Sequence, residues 1–188
     1  MHIFTSAITL AIVGLISALP TNASYPTTEG SNIIRPTVTS QYAVWTGAVR
    51  YKTQNGNIFK DGHTTDITTL LTFDFPPASA GKICSFHFDL SSDPKAKVSG
   101  TGQFDVFTSL APAAYSTTSW PSGNLRDHHF GRMTAHLSGE ATWVDGFPTF
   151  GKSFPCPAGQ TYGGELVGTG DVDRIEWLAA NSGPYIKW

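Results

Sequence analysis

The chain has 188 residues, including 19 Gly and 12 Pro, with 12% aromatic and 14% charged residues. Charge is scarce beside the roughly 25% of an average soluble protein, and the formal net charge is −2. No run of Lys or Arg is present, which argues against nucleic acids and anionic membranes as partners, since both are met first through clustered positive charge.

Residues 3–18, IFTSAITLAIVGLISA, form an uncharged apolar run. Small residues follow at Ser17-Ala18 and again at Thr21-Asn22-Ala23. This layout predicts a signal peptide over 1–23, cleaved after Ala18 or Ala23, although no Lys or Arg precedes the run. A retained anchor is the alternative, at the short limit for a membrane span. Cleavage predicts a secreted protein, extracellular or in the cell wall, with no membrane association afterwards. His2 leaves with the leader and so is no N-terminal metal ligand.

Residues 24–41 are rich in Ser, Thr and Pro and read as an extended lead-in. The domain is expected over 42–188. VWTGAVRYKT has strand composition, and Asn55-Gly56 then reads as a type I′ hairpin turn. In TTDITTLLTFDF, Ile67, Leu71, Phe73 and Phe75 share one parity, which predicts a half-buried strand ended by Pro76-Pro77. ICSFHFDL alternates strictly, so Cys84, Phe86, Phe88 and Leu90 face a core. QFDVFTSL, HHFGRMTAHL and GEATWVDGF follow as strands, the last two paired around Ser138-Gly139. YGGELVG, VDRIEW and PYIKW complete the set. About nine short strands and no convincing helix predict an all-β protein, a single antiparallel β-sandwich.

Cys84 and Cys156 are the two cysteines. In a secreted chain such a pair reads as an inter-strand disulfide, and in a cytosolic one as two buried thiols. A Cys nucleophile is then excluded. No Gly-x-Ser-x-Gly, His-Glu-x-x-His or phosphate-binding loop occurs, so no catalytic residues and no cofactor are expected. A hydrolase with two carboxylates across a cleft is the alternative that sequence cannot place.

The densest polar stretch is Arg126 to Arg132. His128 and His136 share a strand face but lie roughly 27 Å apart, too far for one metal ion. Asp171 and Asp173 sit in a Gly-rich turn. They read either as two of the many oxygens a calcium ion needs or as carboxylates capping backbone N–H groups. No metal site is assigned. Trp45, Trp120, Trp143, Trp177 and Trp188 divide between core and surface. Trp143 and Trp177 read as core, whereas Trp120 lies in a Ser/Thr/Pro/Gly loop suited to an exposed aromatic platform. Tyr115, Trp120 and Arg126 are therefore the candidate ligand-binding residues.

The motifs TTLLTFDFP (68–76), AGKICSFHFDL (80–90), GTGQFDVFTSLAP (100–112) and TSWPSGNLRDHHFGRM (118–133) occur in order. GEATWVDGFPTFGKSFPCPAGQT (139–161), GELVGTGDVDRIEW (164–177) and GPYIKW (183–188) continue them. Over residues 40–188 the chain resembles the fungal family named Ubiquitin 3 binding protein But-two, C-terminal domain. The resemblance implies a secreted or surface-associated module and supplies no catalytic motif. With the residue reading it gives a cell-wall or extracellular binding module for a polysaccharide or a surface protein. The family name implies an alternative, an intracellular interaction domain for a subunit of a ubiquitin-like activating enzyme.

Overall fold

The computed structural model describes residues 32–119 and 125–188. The first strands are β1 (Ile33–Ile34), β2 (Val38–Ala43), β3 (Ala48–Arg50), β4 (Asn55–Lys60) and β5 (Ile67–Asp74). Next come β6 (Ile83–Asp89), β7 (Lys97–Gly100), β8 (Gln103–Ser109), β9 (Arg126–His136) and β10 (Gly139–Trp143). The last are β11 (Phe154–Pro155), β12 (Thr161–Gly168), β13 (Asp173–Leu178) and β14 (Gly183–Lys187). The expected lead-in enters the sheet at Ile33.

All fourteen strands belong to one sheet, ordered β1-β14-β6-β10-β9-β8-β12-β5-β4-β13-β7, with β11 beside β6 and the β2–β3 hairpin branching from β5. Every pairing is antiparallel. The expected all-β antiparallel class is observed, but as fourteen strands in a single curled sheet, not about nine in a sandwich. The extra strands are short pieces such as β1, β7 and β11, which carry no period-two signal of their own.

Core packing accounts for the curl. Phe88 on β6 meets the Trp177 ring on β13 edge-on at 5.0 Å and Phe104 on β8 at 4.9 Å. Strands from opposite reaches of the sheet thus share one apolar cluster, which includes Ile58, Leu71, Phe86, Met133 and Leu166. Aromatic pairs at these distances add about 1 kcal/mol each beyond burial.

Two sequence expectations are corrected here. Asn55-Gly56 is not a hairpin turn, because both residues lie inside β4. The glycine is there for packing: a Cβ at Gly56 would fall 1.9 Å from the Trp177 ring. The turn lies earlier, at 44–47 between β2 and β3. β5 is also buried on both faces, not half-buried. Leu71 and Phe73 enter the main core, while Leu70 packs outward against Tyr42, Val49 and Ala113. The long β9 bends at Gly131, whose φ is 144°, where the ladder with β8 shifts register. There a Cβ would meet Trp143 at 2.6 Å.

Candidate functional site

A cavity of about 400 Å³ opens between the β8–β9–β12 wall and the segment around Phe154. Phe73, Phe75, Phe86, Phe130, Phe154 and Tyr162 line it. Its floor is the buried core, including Leu71, Val106, Leu166 and Ile186. Polar groups gather at the solvent side, where Thr108, Ser109, Asp127 and His128 stand. Close-packed interiors tolerate few voids larger than a water molecule. A space this large, apolar below and polar at its mouth, has the character of a small-molecule site.

Local sequence explains the space. On β12, Tyr162, Gly164 and Leu166 share a parity, and all three line the cavity. Gly164 adds no side chain to this wall, and a Cβ there would stand 3.3 Å from Phe107 O and 3.9 Å from Leu71 Cβ. The opposite wall is held by the Cys84–Cys156 disulfide, which has a Cα–Cα distance of 5.1 Å. It fixes Phe154, Pro155 and Pro157 beside β6. The expected pairing of the two cysteines is observed.

The mouth is internally bonded. His128 Nδ1 lies 2.7 Å from Asp127 Oδ2, which also accepts from Thr108 Oγ1 at 3.3 Å. The His128 backbone N–H donates to Thr108 Oγ1 at 2.9 Å.

The sequence candidates fall elsewhere. Tyr115 is 89% exposed and meets Tyr51 edge-on at 6.1 Å, outside the cavity lining. Trp120 lies outside the described residues. Arg126 serves the structure: its guanidinium bonds Glu165 Oε1 at 2.9 Å, and Glu165 is 1% exposed and also accepts from Thr68 Oγ1 at 2.7 Å. A buried carboxylate needs such partners. Trp177 is core as expected, Trp143 packs on the core edge, and Trp45 is 61% exposed.

Asp173 is a backbone anchor. Its Oδ1 accepts from Thr101 N–H at 2.6 Å, Thr101 Oγ1 at 2.8 Å and Gly102 N–H at 3.2 Å. Its Oδ2 accepts from Gly170 N–H at 2.5 Å. Four donors on one carboxylate fit the reading of Asp173 as a cap for backbone N–H groups. Asp171 is exposed. Among the described residues no group of three or more His, Cys, Asp or Glu could hold a metal ion, and no helix is long and apolar enough to cross a membrane.

His129 also faces away from the cavity mouth. It stacks on Phe107 at 4.8 Å, and its Nε2 lies 3.0 Å from Asp105 Oδ1 but off the hydrogen-bond direction. Arg132 grips Asp105 bidentately at 2.8 and 2.9 Å and lies over Phe147 at 4.0 Å.

A second polar cluster was not legible from sequence. On the outer face of β6, Ser85 Oγ lies 2.9 Å from His87 Nε2, and His87 Nδ1 lies 3.4 Å from Glu140 Oε1. Glu140 also accepts from Tyr185 Oη and from Lys187 Nζ, and the His87 ring stacks on Tyr185 at 5.1 Å. The order Ser–His–Glu resembles a nucleophile relay. β6 is flanked by β14, β10 and β11, and the Glu140 bonds cross from β10 to β14. The cluster's role is to tie β10 to β14.

These groups predict acid sensitivity. Burial lowers His87 below its ordinary 6.5, and Lys187 adds to this against the pull of Glu140. The Tyr185 hydrogen bond holds Glu140 below its ordinary 4.5. Burial would raise Asp93, but N–H donors from Leu178 and Lys95 and the Ser182 hydroxyl outweigh it and hold the carboxyl below 3.8. All three shifts favour the deprotonated form in the fold. Each therefore contributes stability that is complete above its unfolded value and lost as pH falls through the folded one. The melting temperature should begin to drop below about pH 6.5 and drop again below about pH 4.5. His87→Gln should remove the first step. A flat profile between pH 7 and 5 in the native chain would contradict the His87 assignment.

No curated protein matches the chain. The family profile described as Ubiquitin 3 binding protein But2 C-terminal domain matches residues 17–181. That span covers every strand but the last, both cysteines and all of the cavity lining except Ile186, and the family is one of binding proteins. The chain belongs to the Ubiquitin 3 binding protein But2 C-terminal domain family.

Proposed function

We propose that this is a secreted, non-catalytic binding domain, extracellular or wall-associated, that takes the apolar part of its ligand into the cavity beside β12. The carrying observation is the 400 Å³ cavity with its aromatic lining and polar mouth. The apolar leader run and the disulfide support an oxidising compartment. Attachment to a wall polysaccharide is a second reading. It is favoured by Tyr115, which stands exposed beside Tyr51 as an aromatic platform.

The test is a neutral solvatochromic dye such as Nile red, titrated into the folded chain. Its emission should shift to the blue on binding. Gly164→Val, which puts two methyl groups into the cavity, should weaken the dye at least about tenfold, since a fit worsened by ~1.4 kcal/mol has that effect. Undiminished binding by a folded Gly164→Val protein would place the site elsewhere.

A further inference from the structure

We propose that the cavity selects an uncharged amphiphile, a hydroxyl-bearing molecule with an apolar chain or ring system, and rejects free carboxylic acids. This rests on the cavity being the ligand site. The argument is the distribution of charge along its axis. Below the mouth the lining is aromatic and aliphatic, and Glu165, which borders it, has its carboxylate committed to Arg126 and Thr68. Arg126, next to Asp127 in the chain, is therefore neutralised by a buried anion. At the mouth stand two hydroxyls, a carboxylate and an imidazole, from Ser109, Thr108, Asp127 and His128.

Asp127 decides the sign. Its Oδ2 already engages His128 Nδ1 and Thr108 Oγ1, and it is exposed. Among the described residues no Lys or Arg appears in the lining. An acid seated with its chain in the cavity would bring a second carboxylate to Asp127, whose one basic neighbour in the lining, His128, is already turned to its Oδ2. Like charges about 4 Å apart cost on the order of 1 kcal/mol in water and more beside a low-dielectric wall. An alcohol meets no such barrier, because its O–H can donate to the Asp127 carboxylate or to Ser109 Oγ and accept in turn. The same mouth that repels an acid therefore orients a hydroxyl.

The experiment is calorimetric titration of the folded chain at pH 7.5 with two probes of equal chain length, 1-octanol and octanoate. Octanol should bind, and octanoate should bind at least about tenfold more weakly or not at all. Gly164→Val should abolish octanol binding. Asp127→Asn, a surface change that leaves the core intact, should bring octanoate to within about threefold of octanol. Octanoate binding as tightly as octanol, or a gap that survives Asp127→Asn, overturns the selectivity while leaving the cavity as the site. Failure of octanol to bind, or octanol binding unchanged in Gly164→Val, overturns the cavity reading itself.

Discussion

Asp173→Ala should destabilise the domain by about 2–4 kcal/mol, since a single hydrogen bond to a charged acceptor is worth about 1.5–3 kcal/mol and several are lost together. The carboxylate is 1% exposed. It joins the turn between β7 and β8, through Thr101 and Gly102, to the turn between β12 and β13, through Gly170. Removal leaves the buried Gly102 N–H and the part-buried Thr101 and Gly170 donors without their acceptor, and a buried donor left unmade costs about 1–3 kcal/mol before relaxation. Relaxation is restricted, because Gly100 and Gly102 have positive φ values of 77° and 64°. At Gly100 a Cβ would strike Val172 O at 1.9 Å. Urea denaturation should show a lower midpoint with an unchanged slope, the mark of lost stability without a new denatured state. A loss under about 1 kcal/mol would mean that water replaces the carboxylate. Asp173→Asn should fall between, since its amide keeps one acceptor and turns an N–H₂ towards other donors.

The legible parts of this protein are those in which local pattern and global burial coincide. In ICSFHFDL the alternation alone places Cys84, Phe86, Phe88 and Leu90 inward, and all four are buried. The prolines flanking Cys156 place it beside an edge, where the two-residue β11 ends. Asn55-Gly56 was misleading because a glycine answers two different demands. Here Gly56 makes room for an indole that arrives from β13 far along the chain. Nothing within a few residues of position 56 distinguishes that from a turn.

Sheet closure and site were hidden for the same reason. Whether two faces of paired strands form a sandwich or one curled sheet depends on which edge strands meet, here those that bring Phe88 and Trp177 together. Arg126 stood out by charge density, but its partner Glu165 lies on another strand. No local signal marks the pair as structural. The cavity arises from Gly164 on one wall and Phe154 on the other. A glycine within YGGELVG reads in sequence as a weak strand residue, with no hint of a space.

Loss of the disulfide should have the second large effect, and it should reach the cavity. Cys84 and Cys156 are 72 residues apart, so the chain-entropy argument assigns the cross-link about 4 kcal/mol. That is a large share of the roughly 5–15 kcal/mol that separates folded from unfolded domains. The double variant Cys84→Ala/Cys156→Ala should therefore melt on the order of 10 °C lower. Below its melting point it should also bind octanol more weakly. Without the bridge, β11 is held by the pairs Phe154↔Cys84 and Pro155↔Ile83 and by the Cys156 N–H to Lys82 O hydrogen bond at 3.0 Å. These restraints are weaker than the covalent link, so Phe154, Pro155 and Pro157 gain freedom and that wall of the cavity loosens. A melting temperature within about 3 °C of the native chain would show that the sheet alone carries the fold. The larger drop would mean that a reducing compartment strips the domain of stability and of its ligand wall together. The same measurement thus bears on the choice between the secreted reading and an intracellular one, because the second needs a domain that works with both thiols reduced.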